Sequence, residues 1–117
     1  MKKKPTNILI VDDEEGVRQS LAEILELEGL QVTQASNGYI AIEKAQKNVY
    51  DIALIDIRMP GINGIETLLQ VISLQPKIKA VMMTGHPLEK QPNTLVEKTC
   101  GVLYKPFCIK ELMTMIQ

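Results

Sequence analysis

The sequence predicts an α/β domain built on a doubly wound, five-stranded parallel sheet. Short apolar runs alternate along the chain with stretches whose apolar residues recur at helical spacing, and no internal sequence repeat interrupts this order. Right-handed helical crossovers join parallel strands in such an arrangement. The purest apolar runs should be central and the mixed ones peripheral, which fits the strand order 2-1-3-4-5.

The elements follow from short-range signals. Strands are predicted from apolar runs that end at acids, glycines or prolines, and helices from apolar stripes that stop near Gly29 or Pro76. The segment 86–99 is harder to interpret because Pro87 and Pro92 interrupt it, so we expect a short or irregular helix after Pro92. The predicted strands are 7–11, 30–35, 52–55, 78–83 and 101–104, and the other predicted helices are 17–25, 40–47, 65–72 and 109–116.

Size and composition bound the possible functions. The 117 residues, 45% of them hydrophobic and 23% charged, are typical of one globular domain spanning 1–117. A net charge of −1 argues against direct nucleic-acid binding. No apolar run approaches the roughly 20 residues that cross a bilayer, and no signal peptide is visible, so we expect a cytoplasmic protein without membrane contact. Cys100 and Cys108 match no metal or redox spacing, and we expect them to be reduced, partly buried packing residues.

Chemically capable side chains lie at the carboxyl ends of four predicted strands. Asp12 and Asp13 follow the first strand, Asp56 ends the third, Thr84 the fourth, and Lys105 follows the fifth. Because ligands bind beyond these ends in a doubly wound sheet, the five side chains should converge. Each residue alone would be a helix-start acid, a turn residue or a surface lysine. Their coincidence at successive strand ends indicates a functional site.

The residue types at this edge favour a magnesium-dependent phosphoryl acceptor. Three neighbouring carboxylates repel one another, and Mg²⁺ prefers carboxylates, a carbonyl, water and phosphate oxygens. Lys105 can hold an anionic oxygen, and the Thr84 hydroxyl can donate a hydrogen bond to that oxygen. Asp56 would then accept the phosphoryl group as an acyl phosphate.

The motifs that carry these residues resemble the response-regulator receiver domain of two-component signalling. They are ILIVDDE, LIDIRMPGINGIE, VMMTGH and LYKPF, and the resemblance spans nearly the whole chain. It implies a flavodoxin-like (βα)5 fold and a phosphorylation switch, not an enzyme that turns over external substrates. A sensor histidine kinase would be the phosphodonor, and an output domain or downstream protein the target, with transcription regulation as the expected output.

The resemblance also implies a role for each site residue. Asp56 would be the phosphoacceptor, Asp13 a direct ligand of Mg²⁺, Asp12 a ligand through water, and Arg58 a ligand through its backbone carbonyl. The remaining two, Thr84 and Lys105, would contact the phosphoryl group. The Lys105–Pro106 peptide bond is expected to be cis, as receivers usually have it.

Two features depart from the family pattern. Receivers often carry Tyr or Phe three residues before the lysine, where this chain has Val102. We interpret Tyr104 as lying on the opposite strand face, so that it would not replace the aromatic side chain. Prolines within 87–98 lie where the output helix should be, so we expect an atypical helix there. A homodimer stays open, but the family dimer interface is not carried over.

Arg58 and His86 each follow a site residue by two positions. We hypothesise that they set the lifetime of the phosphorylated state by shielding or orienting water. In the alternative interpretation both side chains point into solvent. One measurement separates the two: dephosphorylation rates of Arg58→Ala and His86→Ala.

Three other functions compete with the switch. A haloacid-dehalogenase-type phosphatase needs a second acid two residues after its nucleophile, where this chain has Arg58. A flavin carrier of similar topology needs a phosphate loop after the first strand, where acids would repel phosphate. A receiver-like interaction module without phosphorylation remains as the alternative. The chain ends within its last apolar stripe, which is compatible with the N-terminal part of a longer regulator.

Overall fold

The computed structural model describes residues 6–59, 61–85 and 99–116. Its five strands form one parallel sheet in the order β2-β1-β3-β4-β5, so the predicted topology is confirmed. The predicted helix after Pro92 lies outside the described residues. In chain order the elements are β1 (Asn7–Val11), α1 (Glu15–Leu27), β2 (Gln31–Ala35), α2 (Gly38–Lys47), β3 (Ile52–Asp56), α3 (Gly64–Leu74), β4 (Lys79–Thr84), β5 (Gly101–Tyr104) and α4 (Ile109–Ile116).

Alternate strand residues supply two cores, one on each face of the sheet. In β1, Ile8 and Ile10 pack beneath α1 and α4, while Leu9 and Val11 pack beneath α2 and α3. Both faces of the central strands are therefore covered, and all five residues of β3 are buried. The outer strand β2 buries only Ala35 completely, as expected for an edge.

Two local features bring α3 close to the end of β3. The Asn63 side chain accepts a hydrogen bond of 2.9 Å from the backbone N–H of Glu66, which satisfies one free donor of the first turn. A Cβ on Gly64 would collide with the carbonyl oxygen of Asp56. Only glycine permits this approach, which packs the start of α3 directly against the strand end that carries Asp56.

The cysteine prediction was half right. Cys100 and Cys108 are free thiols, but both are exposed, so their expected partial burial is wrong. Cys100 lies just before β5 and Cys108 just before α4, in connecting segments that pass over the surface. Within the described part of the chain, no helix has the length and apolar character needed to span a membrane.

Candidate functional site

Three of the predicted side chains meet at the carboxyl edge of the sheet. The Nζ of Lys105 lies 2.9 Å from an oxygen of Asp12 and 3.1 Å from an oxygen of Asp56. Asp12 is fully buried and Asp56 is 5% exposed. Two buried carboxylates, delivered by β1 and β3, therefore share one ammonium group that follows β5.

Strand alternation explains why these three side chains meet. Ile10, Leu54 and Leu103 all pack in the core beneath α1 and α4, and the three site residues each follow one of them by two positions. Residues two apart on a strand share a face. The acids and the lysine therefore continue the apolar rows of β1, β3 and β5 on this face past the point where the core ends.

Backbone N–H groups fix the second oxygen of each buried carboxylate. Oδ1 of Asp12 accepts a hydrogen bond of 2.9 Å from Glu14, and Oδ1 of Asp56 accepts one of 3.0 Å from Arg58. Each is a local turn in which the aspartate bonds the backbone two residues ahead. Both acids are therefore held by one backbone donor and one ammonium, which fixes the direction of each carboxylate.

Asp13 completes an acidic cluster with the two buried acids. One oxygen from each of the three carboxylates lies within 4.8 Å of the other two, and Asp13 itself is exposed. Among the described residues, Lys105 supplies one positive charge to these three carboxylates. Clustered carboxylate oxygens with an open side suit a hard divalent cation such as Mg²⁺, so the donor set fits the predicted ion.

Burial and charge act on Asp56 and Lys105 in opposite ways. Burial raises the pKa of the Asp56 carboxyl; the Arg58 N–H and Lys105 oppose this, and the Asp12 charge adds to it. Burial alone would lower the pKa of Lys105, but hydrogen bonds to Asp12 and Asp56 reverse this and raise it. The lysine is therefore held in its charged form by the acids, while Asp56 is costly to keep ionised without further positive charge.

Thr84 lies at the same edge but on the other face of the sheet. It is buried, and it follows Met82, which packs in the core beneath α2 and α3, by two residues. Its carbonyl accepts a hydrogen bond of 2.8 Å from the backbone N–H of Lys105. The structure thus brings Thr84 to the site edge, while the role of its hydroxyl stays a prediction.

The interpretation of Tyr104 is wrong. Val102 packs with the core beneath α2 and α3, and Leu103 with the opposite core, so alternation places Tyr104 on the same face as Val102. In the sheet register Tyr104 is the partner of Thr84. An aromatic side chain therefore does neighbour Thr84, two residues beyond the usual position.

The other expectations around the site have different outcomes. The Lys105–Pro106 bond is cis, as predicted. Arg58 is exposed and its backbone N–H bonds Asp56, while the proposed role of its carbonyl stays a prediction. His86 lies outside the described residues.

Sequence reasoning missed Arg18, which contacts the acidic loop, and Gln34, which contacts Arg18. Nη1 of Arg18 donates a hydrogen bond of 2.8 Å to the backbone carbonyl of Asp12, and its Nε donates one of 3.1 Å to Oε1 of Gln34. An arginine one turn into the helix after an acidic loop was the available signal. Its partner could be found only from the packing of α1 over β2.

The sheet order and the cluster of acids around a lysine define a doubly wound α/β domain with an acidic site at the carboxyl edge of its sheet. The chain belongs to the response regulator receiver domain family, whose model matches residues 8–117.

Relatives and solved structures agree with this family. The response regulator receiver protein CpdR of Brucella abortus is 32% identical over 111 residues, covering 94% of this chain and 92% of that protein. The regulatory protein AtoC of Escherichia coli is 35% identical over 114 residues, covering 94% of this chain but 24% of that protein.

Two solved structures share the fold over almost the whole chain. A CheY-like receiver domain protein from Methanospirillum hungatei has a TM-score of 0.89 and 30% identity, with 97% of this chain and 91% of that one covered. The response regulator TrrA of Thermotoga maritima, solved in complex with Mg²⁺–BeF, has a TM-score of 0.85 and 29% identity, with 96% and 99% covered.

The chain spans very different shares of its relatives. It covers nearly all of CpdR, 64% of the sporulation initiation phosphotransferase F of Bacillus subtilis and about a quarter of AtoC. The family therefore describes the domain, and the longer relatives contain further segments that this domain alone does not represent.

Proposed function

We propose that this receiver domain is a phosphorylation-controlled switch in which Asp56 accepts a phosphoryl group from the phosphohistidine of a sensor histidine kinase. The observation that carries the proposal is the pair of buried carboxylates sharing Lys105, with Asp13 beside them. A lysine and two acids buried at strand ends cost folding free energy, and a reaction at Asp56 gives that arrangement a purpose.

The transfer step needs only groups that the site and the donor supply. A carboxylate oxygen of Asp56 attacks phosphorus, and the phosphorus–nitrogen bond to the donor histidine breaks. The bonding pair stays on the histidine nitrogen, and the product is an acyl phosphate. Lys105, 3.1 Å from the attacking carboxylate, is close enough to transfer its hydrogen bond to a phosphoryl oxygen. The Thr84 hydroxyl would donate a second bond to the phosphoryl group.

The acidic cluster supports a requirement for Mg²⁺. Asp13 and Asp56 would hold the ion directly, Asp12 through water, and Arg58 through its backbone carbonyl. When bound, the ion supplies positive charge that offsets both the carboxylates and the phosphoryl oxygens. The relative from Thermotoga maritima was solved with Mg²⁺–BeF, which supports the same ion for this chain.

The output of the switch is proposed from the relatives. We expect the phosphorylated state to change the surface that contacts an output domain or a downstream protein, most simply in transcription regulation. The 37% identical transcriptional regulatory protein ZraR of Klebsiella oxytoca supports that direction. Two free thiols favour the cytoplasm, where cysteines stay reduced. We propose residues 1–117 as a single domain, either complete in itself or part of a longer regulator.

Incubation with acetyl phosphate and Mg²⁺, followed by intact-mass spectrometry, tests the proposal. Wild type should gain one phosphoryl group, and Asp56→Asn should gain none. Asp51→Asn is the matched control, because Asp51 is an exposed aspartate at the opposite end of β3, and it should react like wild type. Chelation of Mg²⁺ should abolish the gain. A wild-type protein that stays unmodified would instead favour an interaction module without phosphorylation.

A further inference from the structure

A three-residue polar chain links the edge strand β2 to the acidic loop after β1. Arg18, in the first part of α1, donates from Nη1 to the carbonyl of Asp12 at 2.8 Å and from Nε to Gln34 at 3.1 Å. All three residues are at least partly buried. Gln34 lies on the α1 side of β2, two residues after Val32, which packs in the core beneath that helix.

The loop between β1 and α1 needs such support because its charges repel. Residues 12–15 are four consecutive acids. Glu14 caps the helix that follows, and its side chain makes no capping hydrogen bond. Without an added restraint, repulsion would favour arrangements in which the carboxylates move apart, and a binding site for a cation needs them together.

Arg18 supplies that restraint at the peptide that joins the two acids. The backbone N–H of Asp12 donates to the carbonyl of Ala35 in β2 at 3.2 Å, and the carbonyl of Asp12 is held by Arg18. Because a peptide unit is planar, fixing this carbonyl also fixes the N–H and Cα of Asp13. A guanidinium bound at two of its nitrogens has one orientation, so Gln34 fixes Arg18 in turn.

We propose that Arg18 is a positioning residue for Asp12 and Asp13, and that Gln34 positions Arg18, so that this pair sets the affinity of the site for Mg²⁺. This inference rests on the proposed function, since it assumes that the acidic cluster binds the ion. Neither side chain contacts the ion. Both act by holding the peptide between the two acids, as outer-shell groups do in other metal sites.

A purely electrostatic role for Arg18 predicts the opposite result. A cation near the acidic cluster repels Mg²⁺, so its removal would tighten binding if charge were all that mattered. Positioning predicts that removal weakens binding. Gln34→Leu isolates the geometry, because it removes the acceptor for Arg18 and changes no charge.

Isothermal titration of the full chain with Mg²⁺, without phosphodonor, tests the proposal. Gln34→Leu and Arg18→Ala should each raise the Kd about tenfold, the lower end of the effect of outer-shell substitutions. Arg18→Lys should fall between, since it keeps the charge and one donor but loses the two-pronged geometry. Gln31→Leu is the matched control, an exposed glutamine on the same strand, and should leave the Kd unchanged.

Melting temperature measured on the same variants separates positioning from a structural role. Tighter binding by Arg18→Ala, or a Gln34→Leu variant that melts lower but binds Mg²⁺ like wild type, would overturn the proposal. If Arg18→Ala does not fold, the Kd of the neutral Gln34→Leu variant decides. A wild type that binds no Mg²⁺ would refute the proposed function itself, which is a distinguishable failure.

Discussion

Replacing Lys105 by methionine should strongly destabilise the protein in the absence of Mg²⁺. The ammonium bonds one oxygen of Asp12 and one of Asp56, at 2.9 and 3.1 Å, and both acids are buried. Removing one partner of a buried ion pair costs about 3–5 kcal/mol, because it leaves buried charge uncompensated. The lysine side chain is 19% exposed and each acid keeps a backbone N–H donor, so we expect about 3 kcal/mol, the lower end.

The direction of the pKa shift of Lys105 decides the pH at which the stability loss should be measured. The pKa of Lys105 is raised in the folded protein above 10.5, the ordinary value for lysine, so its stabilising contribution is fully present below that value. It is lost only as the pH rises through the folded pKa. Neutral pH therefore measures the whole effect. Acidification should narrow the gap between variant and wild type, because a protonated Asp56 no longer needs the ammonium.

Urea denaturation followed by far-UV circular dichroism measures the loss, since the chain contains no tryptophan. Lys47→Met is the matched control: Lys47 is 68% exposed and forms a surface ion pair with Glu43 in the neighbouring turn, so the change should stay within about 0.5 kcal/mol. Saturating Mg²⁺ should stabilise Lys105→Met more than it stabilises wild type. A metal-free Lys105→Met variant as stable as Lys47→Met would refute the idea that Lys105 neutralises the buried acids.

Three further substitutions test other parts of the fold and site. Asp56→Asn should raise the free energy of unfolding of the metal-free protein at pH 7. The pKa of Asp56 is raised in the folded protein, so the protonated carboxyl favours folding and this stabilisation is lost as the pH rises through the folded pKa. Urea titrations should show the advantage of the variant vanish below pH 3.8. Gln75→Leu removes three hydrogen bonds of 2.6–2.8 Å that join the end of α3 to the end of α2 and the segment after it. The loss should cost about 2 kcal/mol in urea, whereas the exposed Gln70→Leu should be nearly neutral. Gly64→Ala should cost about 3 kcal/mol, because the added Cβ collides with the end of β3. Gly16→Ala has open space around it and should stabilise α1. Equal melting temperatures of these two variants would contradict the close approach of α3 to β3.

The sheet and most of the site followed from the sequence because both depend on short-range rules. Apolar runs marked the strands, and the residue that ends each run marked the carboxyl edge. The convergence of Asp12, Asp56 and Lys105 then follows from parallel topology and two-residue alternation. That Lys105 bonds both acids at once was not predictable, since it depends on the exact path of the loop after β5.

The errors also have physical reasons. The error on Tyr104 is one of alternation, because residues two apart on a strand lie on the same face. Val102 and Leu103 pack in opposite cores, which places Tyr104 on the face of Val102. Cys100 and Cys108 are exposed because each lies in a connection, where residue type says little about burial. The contacts of Arg18 and Gln34 depend on how α1 lies over β2, which is a tertiary arrangement that no local pattern encodes.

Identification of the modified residue tests the central claim most directly. Borohydride reduces an acyl phosphate to an alcohol, so reduction of the phosphorylated chain should convert the acceptor aspartate to homoserine. Peptide mass spectrometry should find this change at Asp56 and at no other aspartate. A stable modification elsewhere, or reduction at Asp12 or Asp13 in place of Asp56, would contradict the account.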